Sequence, residues 1–419
     1  MPLTSRTKHL KQKLSELVKS QHFIIHYGLR NPPVGRGLAS DGVRDRVLVL
    51  TYLHALESLY NTMTSHPWGR EPPEVDDSGR THVYVFGDNP ITTFDNDSLL
   101  PEIFLPCRSK EPTTQSELLR AAAEAVHEGA HLFNFRKRPY YDLSTEPWVW
   151  FDEGIAVLME TLVVAGNPDY CRFLVDWIDT PETPLDDEEA KYQSGMFVRY
   201  LAKMLGPEIV NQVWNESMPN EGPIEAMQRL MALMPRPETF LSADPAVKDI
   251  FASGYCLDPY FIWDHESASL APDIFFRFGE RAVSETFVLS PGSTVRAEDA
   301  LDHLACRYYR FYLKEGVGSV RVELMPEGRV NTTKLKGEVV AVTTERTRLL
   351  AVALSQVAED SEGKESGREV PLSATLSLPS PEKIDHLVLV LSNCGVKSST
   401  KFFNDHDDDK GYFINVTAT

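Results

Sequence analysis

His127-Glu128-Gly129-Ala130-His131, HEGAH in one-letter code, is an instance of the pattern HExxH, and its setting decides how the first half of the chain is read. Thr114 with Glu117 makes a capping box, and Leu118, Leu119, Ala122, Val126 and Ala130 carry a helical apolar pattern up to and through the motif. On that helix His127 and His131 are one turn apart, so both imidazoles point to one side at a separation that can share a zinc ion. Glu128 stands about 100° further round, close enough to reach a water on that ion without being a ligand itself. Two ordinary helix histidines would be poorly placed on a helix of Ala, Leu and Val.

The next segment outward, Thr145 to Gly166, reads TEPWVWFDEGIAVLMETLVVAG. Thr145 can cap it, Pro147 is tolerated in the first turn, and Gly166 stands where a helix would stop. It is apolar nearly all round, which predicts a buried helix, yet it carries Glu153 and Glu160 seven positions apart on one stripe. Buried carboxylates need partners. A zinc ion supplies one for Glu153, and the ring N–H of a ligating histidine, whose tautomer it fixes, supplies one for Glu160. Solubilising surface glutamates would not be ringed by Trp148, Trp150, Phe151, Ile155, Val157, Leu158 and Met159.

Around this centre the chain has two textures. From Lys8 to about Phe251 it shows helical periods at Leu10 to Val18, Arg44 to Met63, Glu117 to Phe135, Trp148 to Val164, Ala190 to Leu205, and Glu208 to Met234 with a break at Pro219 to Pro223. Phe23 to Tyr27 and His82 to Phe86 read as strands, and Leu100 to Cys107 as a proline-limited edge strand. After about Gly254 short apolar runs alternate with turn residues, as at Cys306 to Leu313, Ser319 to Leu324, Val339 to Thr343, Leu349 to Leu354 and His386 to Leu391. The expected class is α+β: a domain of residues 1–253, sheet-containing to about 135 and helical beyond, then a β-sandwich or jelly roll of residues 254–419. The polar run Glu359 to Glu369 reads as a hairpin loop, and the acidic turn Asp405 to Asp409 as a surface loop.

The chain has 419 residues, 42% of them hydrophobic and 25% charged, which excludes collagen-like, coiled-coil and wholly disordered classes. A net charge of −19 argues against nucleic acid as a partner. No apolar run approaches the length of a membrane span, and the first thirty residues lack a signal-peptide core, so the expected compartment is cytoplasmic as numbered, or secreted if a signal was removed. Five scattered cysteines, with no CxxC pair, read as reduced and mostly buried thiols. Glycosylation triplets at Asn96, Asn215, Asn331 and Asn415 matter only in a secretory pathway.

HEGAH followed by WFDEGIAVLME resembles the gluzincin metallopeptidases, the superfamily of thermolysin-like and aminopeptidase-N-like enzymes. The resemblance implies a zincin-like first domain holding one catalytic zinc through His127, His131 and Glu153, with Glu128 as general base and Glu160 behind a ligand histidine. It also implies a Tyr or His facing the oxyanion, for which Tyr192 is the candidate and Tyr200 and His265 the substitutes. Three protein ligands leave a fourth position for water, the arrangement of a catalytic zinc, and peptide hydrolysis follows. Twenty-one residues separate His131 from Glu153, asking for a longer connecting loop. Asn134 and Lys137 break the metzincin pattern, and no Gly-x-Met-Glu-Asn strand precedes the motif to hold a free amino terminus, so internal peptide bonds are the expected substrate. A substrate strand would pair with an edge ahead of the zinc helix, a place filled by Leu100 to Cys107. The alternative is a catalytically silent zincin-like scaffold whose β-sandwich binds a protein or glycan.

Overall fold

Phe23–Tyr27 (FIIHY) and Thr81–Val85 (THVYV) are β-branched and aromatic, and in the computed structural model they lie parallel at the centre of a five-stranded sheet. The residues described are 14, 16–28, 46–86, 90–94, 100–107, 114–137, 148–167, 169–187, 191–218, 221–233, 282–302, 304–327, 335–343, 348–356, 371–378, 383–393 and 410–419. The protein is mixed α+β, and its C-terminal part is mostly strand. No helix among the described residues is long and apolar enough to cross a membrane. The chain divides into two compact units, Met1–Phe173 with Lys191–Ala226, and Leu174–Ala190 with Met227–Thr419. The boundary at 253/254 suggested by the change of texture lies outside the described residues.

In the first unit the strands β1 (Glu16–Lys19), β2 (Phe23–Tyr27), β3 (Thr81–Val85), β4 (Ile91–Phe94) and β5 (Pro101–Leu105) are ordered β1-β2-β3-β5-β4. β2, β3 and β5 run parallel, while β1 and β4 pair antiparallel at the two edges. Two expectations need correction. Glu16 to Val18, the end of the helical period expected over Leu10 to Val18, lies in a strand, Glu16–Lys19, because pairing with β2 from Glu16↔Tyr27 to Lys19↔Ile24 outweighs a weak local period. Pro101–Leu105 is not an edge: it lies between β3 and β4 and is buried along its length. Pro101 stands at the first position of the strand, where a missing N–H is tolerated. The edge is β4, whose four residues follow a turn-rich stretch and gave no strand signal of their own.

Helices α1 (Val47–Thr64), α2 (Gln115–Lys137), α3 (Val149–Val163), α4 (Asp169–Asp179), α5 (Gly195–Leu205), α6 (Pro207–Asn215) and α7 (Pro223–Leu233) follow the sequence reading except for α4, which was not anticipated. The capping box forms: Glu117 Oε2 accepts from the Thr114 N–H at 2.9 Å, and Thr114 Oγ1 accepts from the Glu117 N–H at 3.2 Å. Thr145 and Pro147 lie outside the described residues, and Trp148 occupies the cap of α3 with no side-chain cap bond. α2 packs against α1 and α3, and α3 also packs against α5. Small residues allow this closeness. A Cβ on Gly129 would come within 2.6 Å of Leu59 Cδ2, and one on Gly154 within 2.7 Å of Val198 Cγ2 and 2.9 Å of Ser194 Oγ.

The second unit contains two five-stranded sheets. Strands β6 (Val283–Leu289), β8 (Ala305–Leu313), β10 (Leu335–Thr343), β11 (Arg348–Ala353) and β14 (Ile384–Asn393) form one, in the order β11-β10-β14-β8-β6. β7 (Thr294–Leu301), β9 (Ser319–Pro326), β12 (Ser355–Gln356), β13 (Leu372–Ser377) and β15 (Lys410–Ala418) form the other, in the order β12-β13-β9-β15-β7. Both sheets feed one apolar core, from Tyr309, Leu387 and Leu389 on one side and Val322, Leu376 and Ile414 on the other. Leu174–Ala190 joins this unit through backbone bonds, Leu185 N–H to the Leu304 carbonyl at 3.1 Å and Cys306 N–H to the Pro181 carbonyl at 3.0 Å. Cys107 and Cys306 are buried. Cys256, Cys394 and the runs at 359–369 and 405–409 lie outside the described residues.

The two helix glycines should differ in what a methyl group does. At Gly129 the obstacles are leucine tips, which can turn aside, and a gain in helix propensity of about 1 kcal/mol offsets the crowding. At Gly154 they are a stiff valine and a serine whose hydroxyl is bonded to the Trp150 carbonyl at 2.5 Å, so overpacking of about 1–3 kcal/mol should prevail. Denaturant midpoints should fall for Gly154→Ala and barely move for Gly129→Ala; equal midpoints would refute the close packing of α3 on α5.

Candidate metal centre

The helical register of α2 brings His127 and His131 to the flank of α3, where Glu153 projects between them. Glu153 Oε2 lies 3.0 Å from His127 Nε2 and 3.6 Å from His131 Nε2. One donor atom from each residue falls within 4.8 Å of the other two, and all three residues are buried in this setting. Two imidazoles and a carboxylate of this spacing can hold a metal ion.

Each histidine presents Nε2 because its Nδ1 is engaged elsewhere. Nδ1 of His127 meets Glu160 Oε1 at 2.7 Å, the role expected for Glu160. Nδ1 of His131 meets Asp152 Oδ2 at 3.0 Å, a role the sequence reading did not assign. These carboxylates fix the ring orientation and leave Nε2 free to ligate. They are held in turn: Asn167 Nδ2 donates to Glu160 Oε2 at 3.0 Å, and Asn134 Nδ2 donates to Asp152 Oδ1. Arg70 donates to the Asn134 and Asn211 side chains and stands at the far end of this chain. Burial lowers the Arg70 guanidinium to about 10, against the pull of Asp152, and leaves it charged at neutral pH. The remaining oxygen of Glu153, Oε1, is 3.5 Å from Lys191 Nζ.

Glu128 is buried at 8% exposure beside this cluster. Burial raises its carboxyl above the ordinary value, against the lowering effect of both histidines and of Thr92. Thr92, on the edge strand β4, has its hydroxyl 2.7 Å from the Glu128 carbonyl and 2.9 Å from Glu128 Oε2. One hydroxyl proton serves only one acceptor at a time, so Thr92 can partner Glu128 with or without a proton on the carboxylate. The Tyr192 ring lies 5.8 Å from that of His127, stacks on Phe173 at 5.6 Å, and carries the Lys191 ammonium 5.1 Å from its centroid. Tyr200, the substitute candidate, is a core residue at 1% exposure, and His265 lies outside the described residues.

Asp152, Asn134, Arg70, Asn167, Lys191 and Thr92 are the site residues that the sequence reading missed. Asp152 was within reach of the argument used for Glu160, since it too is a carboxylate on an apolar helix. Lys191, Arg70 and Thr92 arrive from distant elements and carry no local signal.

Residues 112–236 match the model of a family described as "Family of unknown function (DUF6055)", a stretch that contains all three donor residues. No curated protein matches. Among solved structures, similarity is found to PliG of Aeromonas hydrophila, a periplasmic inhibitor of g-type lysozyme, at 10% identity and a TM-score of 0.17 over 32% of this chain and 100% of that one. CorA, a surface-associated copper-binding protein of Methylomicrobium album BG8, gives 10% identity and a TM-score of 0.20 over 33% of this chain and 99% of that one. Likeness at this level carries no argument about activity.

In the metal-free site burial lowers both histidines, but the hydrogen bonds and charges of the facing carboxylates prevail, raising His127 to about 10 and His131 well above its ordinary value. Hydrogen bonds from both histidines likewise outweigh burial at Glu153 and hold its carboxyl well below the ordinary value. Both rings are then cationic at neutral pH, whereas a ligand nitrogen must be unprotonated. Loading the His127–His131–Glu153 centre should release about two protons, one from each ring, and its affinity should climb with pH until His127 loses its proton near 10. Calorimetry at neutral pH in buffers of different ionisation heat measures the release; none, with an affinity flat in pH, would contradict the electrostatic account.

Proposed function

We propose that this chain is a zinc-dependent peptidase of gluzincin type, cutting internal peptide bonds, with a zincin-like first domain followed in sequence by a β-sandwich. The observation that carries the reading is the juxtaposition at α2 and α3: two oriented Nε2 atoms, one carboxylate able to join them on an ion, and the buried Glu128 next in sequence to His127 with its Oε2 on Thr92. His127, His131 and Glu153 would hold the ion. When bound, zinc supplies a Lewis acid for the scissile carbonyl and makes water a stronger acid at neutral pH.

Glu128 moves the protons. Its carboxylate takes one from the attacking water and returns it to the departing amide nitrogen, which leaves as an amine. Burial that raises the carboxyl makes the carboxylate a stronger base for the first step, and Thr92 steadies the group through both. Tyr192 remains the candidate for the developing oxyanion, with Lys191 beside it as a cation already aimed at the site. The substrate strand would pair with β4, which replaces Leu100 to Cys107 as the available edge and is tied to the base through Thr92.

Glu128→Gln keeps the shape of the side chain and removes the base. In zinc-loaded protein, cleavage of a broad peptide library should fall at least about 100-fold while the zinc content of the His127–His131–Glu153 site stays unchanged. Mass spectrometry of the products separates the readings. Full activity in the variant would remove Glu128 from the mechanism, trimming from the amino end would overturn the endopeptidase reading, and an inert wild type would favour the silent scaffold.

A further inference from the structure

β2 and β3 bury Phe23, Ile25, Tyr27, Thr81, Val83 and Val85 on one face, where Phe23 meets Tyr60 of α1 with ring centroids 6.3 Å apart. Strand alternation sends His26, His82 and Tyr84 to the other face. His26 lies directly opposite Tyr84 across the strand pair, and His82 is two residues from Tyr84 on the same strand. All three are half-buried, with the His82 side chain 29% exposed.

Their polar atoms gather at one nitrogen. His26 Nε2 is 3.0 Å from His82 Nδ1, and the Tyr84 hydroxyl is 3.5 Å from that same Nδ1. The other ring nitrogen of His82, Nε2, meets Asp76 Oδ2 at 2.9 Å. Asp76 is itself fixed, its Oδ1 accepting from the Ser78 N–H at 2.9 Å, the Ser78 hydroxyl at 2.7 Å and the Arg80 N–H at 3.1 Å. A carboxylate thus holds the N–H at one end of His82 and directs the lone pair at the other end towards two further donor groups. His127 and His131 likewise have a carboxylate on Nδ1, which fixes the ring, while their Nε2 atoms face Glu153. Ring centroids are 5.0 Å apart in both histidine pairs.

We propose that His26, His82 and Tyr84 form a second metal site, on the face of the sheet away from α1, for a divalent transition-metal ion of the zinc and copper class. Two imidazoles and a phenol oxygen suit such borderline ions and not calcium or magnesium, which take oxygen ligands. His82 would ligate through Nδ1 with Asp76 fixing its tautomer, and His26 through Nε2, its ring proton moving to Nδ1. The site shares no residue with the His127 centre and does not depend on peptidase activity.

The test is a metal count on the full chain, stripped and then dialysed against zinc, and separately against copper. Wild type should hold two ions, and His82→Gln and His131→Ala one each, with the double variant holding none. Asp76→Asn should keep the fold and weaken the second site by about 10- to 100-fold. The electron paramagnetic resonance of copper-loaded His131→Ala should show coupling to two nitrogens, reduced to one in His131→Ala/His26→Gln. A wild type holding one ion, lost in His131→Ala and kept in His82→Gln, would overturn the second site alone. One ion lost only in His82→Gln would support it and overturn the first. Unchanged circular dichroism of each variant separates loss of a ligand from loss of the fold.

Discussion

Three carboxylates on one buried helix are the constraint around which the first unit is arranged. Asp152, Glu153 and Glu160 are at most 5% exposed, and an unpaired charge in such a place costs several kcal/mol. Each meets the cost by dividing its two oxygens. One faces a histidine of α2, and the other faces a separate donor: Asn134 for Asp152, Lys191 for Glu153, Asn167 for Glu160. The histidines are thereby fixed in orientation by groups that would themselves be unstable without them.

This mutual dependence explains features that look unrelated along the chain. α2 and α3 must be adjacent for ring nitrogens and carboxylates to meet, and glycines at 129 and 154 let their other faces close on α1 and α5. Arg70 and Asn211 lie far from one another in sequence, yet Asn211 holds Arg70, which donates to Asn134 and through it supports Asp152 and His131. The apolar shell of Trp148, Trp150, Phe151 and Trp214 lowers the local dielectric and so strengthens every one of these contacts.

The cluster that can hold a metal was legible because it is written in local spacing: one turn between His127 and His131, two turns between Glu153 and Glu160. The argument that a carboxylate on an apolar helix needs a partner found Glu160, and the structure chooses His127 over His131 as that partner. Asp152 stands off the stripe that Glu153 and Glu160 share, and its partner His131 shows only in the packed helices. Lys191, Thr92 and Arg70 were not legible, since only tertiary packing brings them in. Strands showed where apolar runs were sustained, as at Ala305–Leu313, and were missed where they are charged or short, as at Thr294–Leu301 (TVRAEDAL) and Ile91–Phe94. Leu100 to Cys107 was placed at an edge on the strength of its prolines, and the pairing of β4 beyond it made it an interior strand.

The account stands or falls on what lies between two ring nitrogens and one carboxylate oxygen. Diffraction from zinc-loaded crystals, recorded on both sides of the zinc absorption edge, locates the ion directly. The prediction is an anomalous peak about 2.0–2.2 Å from His127 Nε2, His131 Nε2 and Glu153 Oε2, with Glu160 and Asp152 still on the two Nδ1 atoms. Zinc found only elsewhere, with Glu153 still hydrogen-bonded to the two rings and nothing between them, would contradict it.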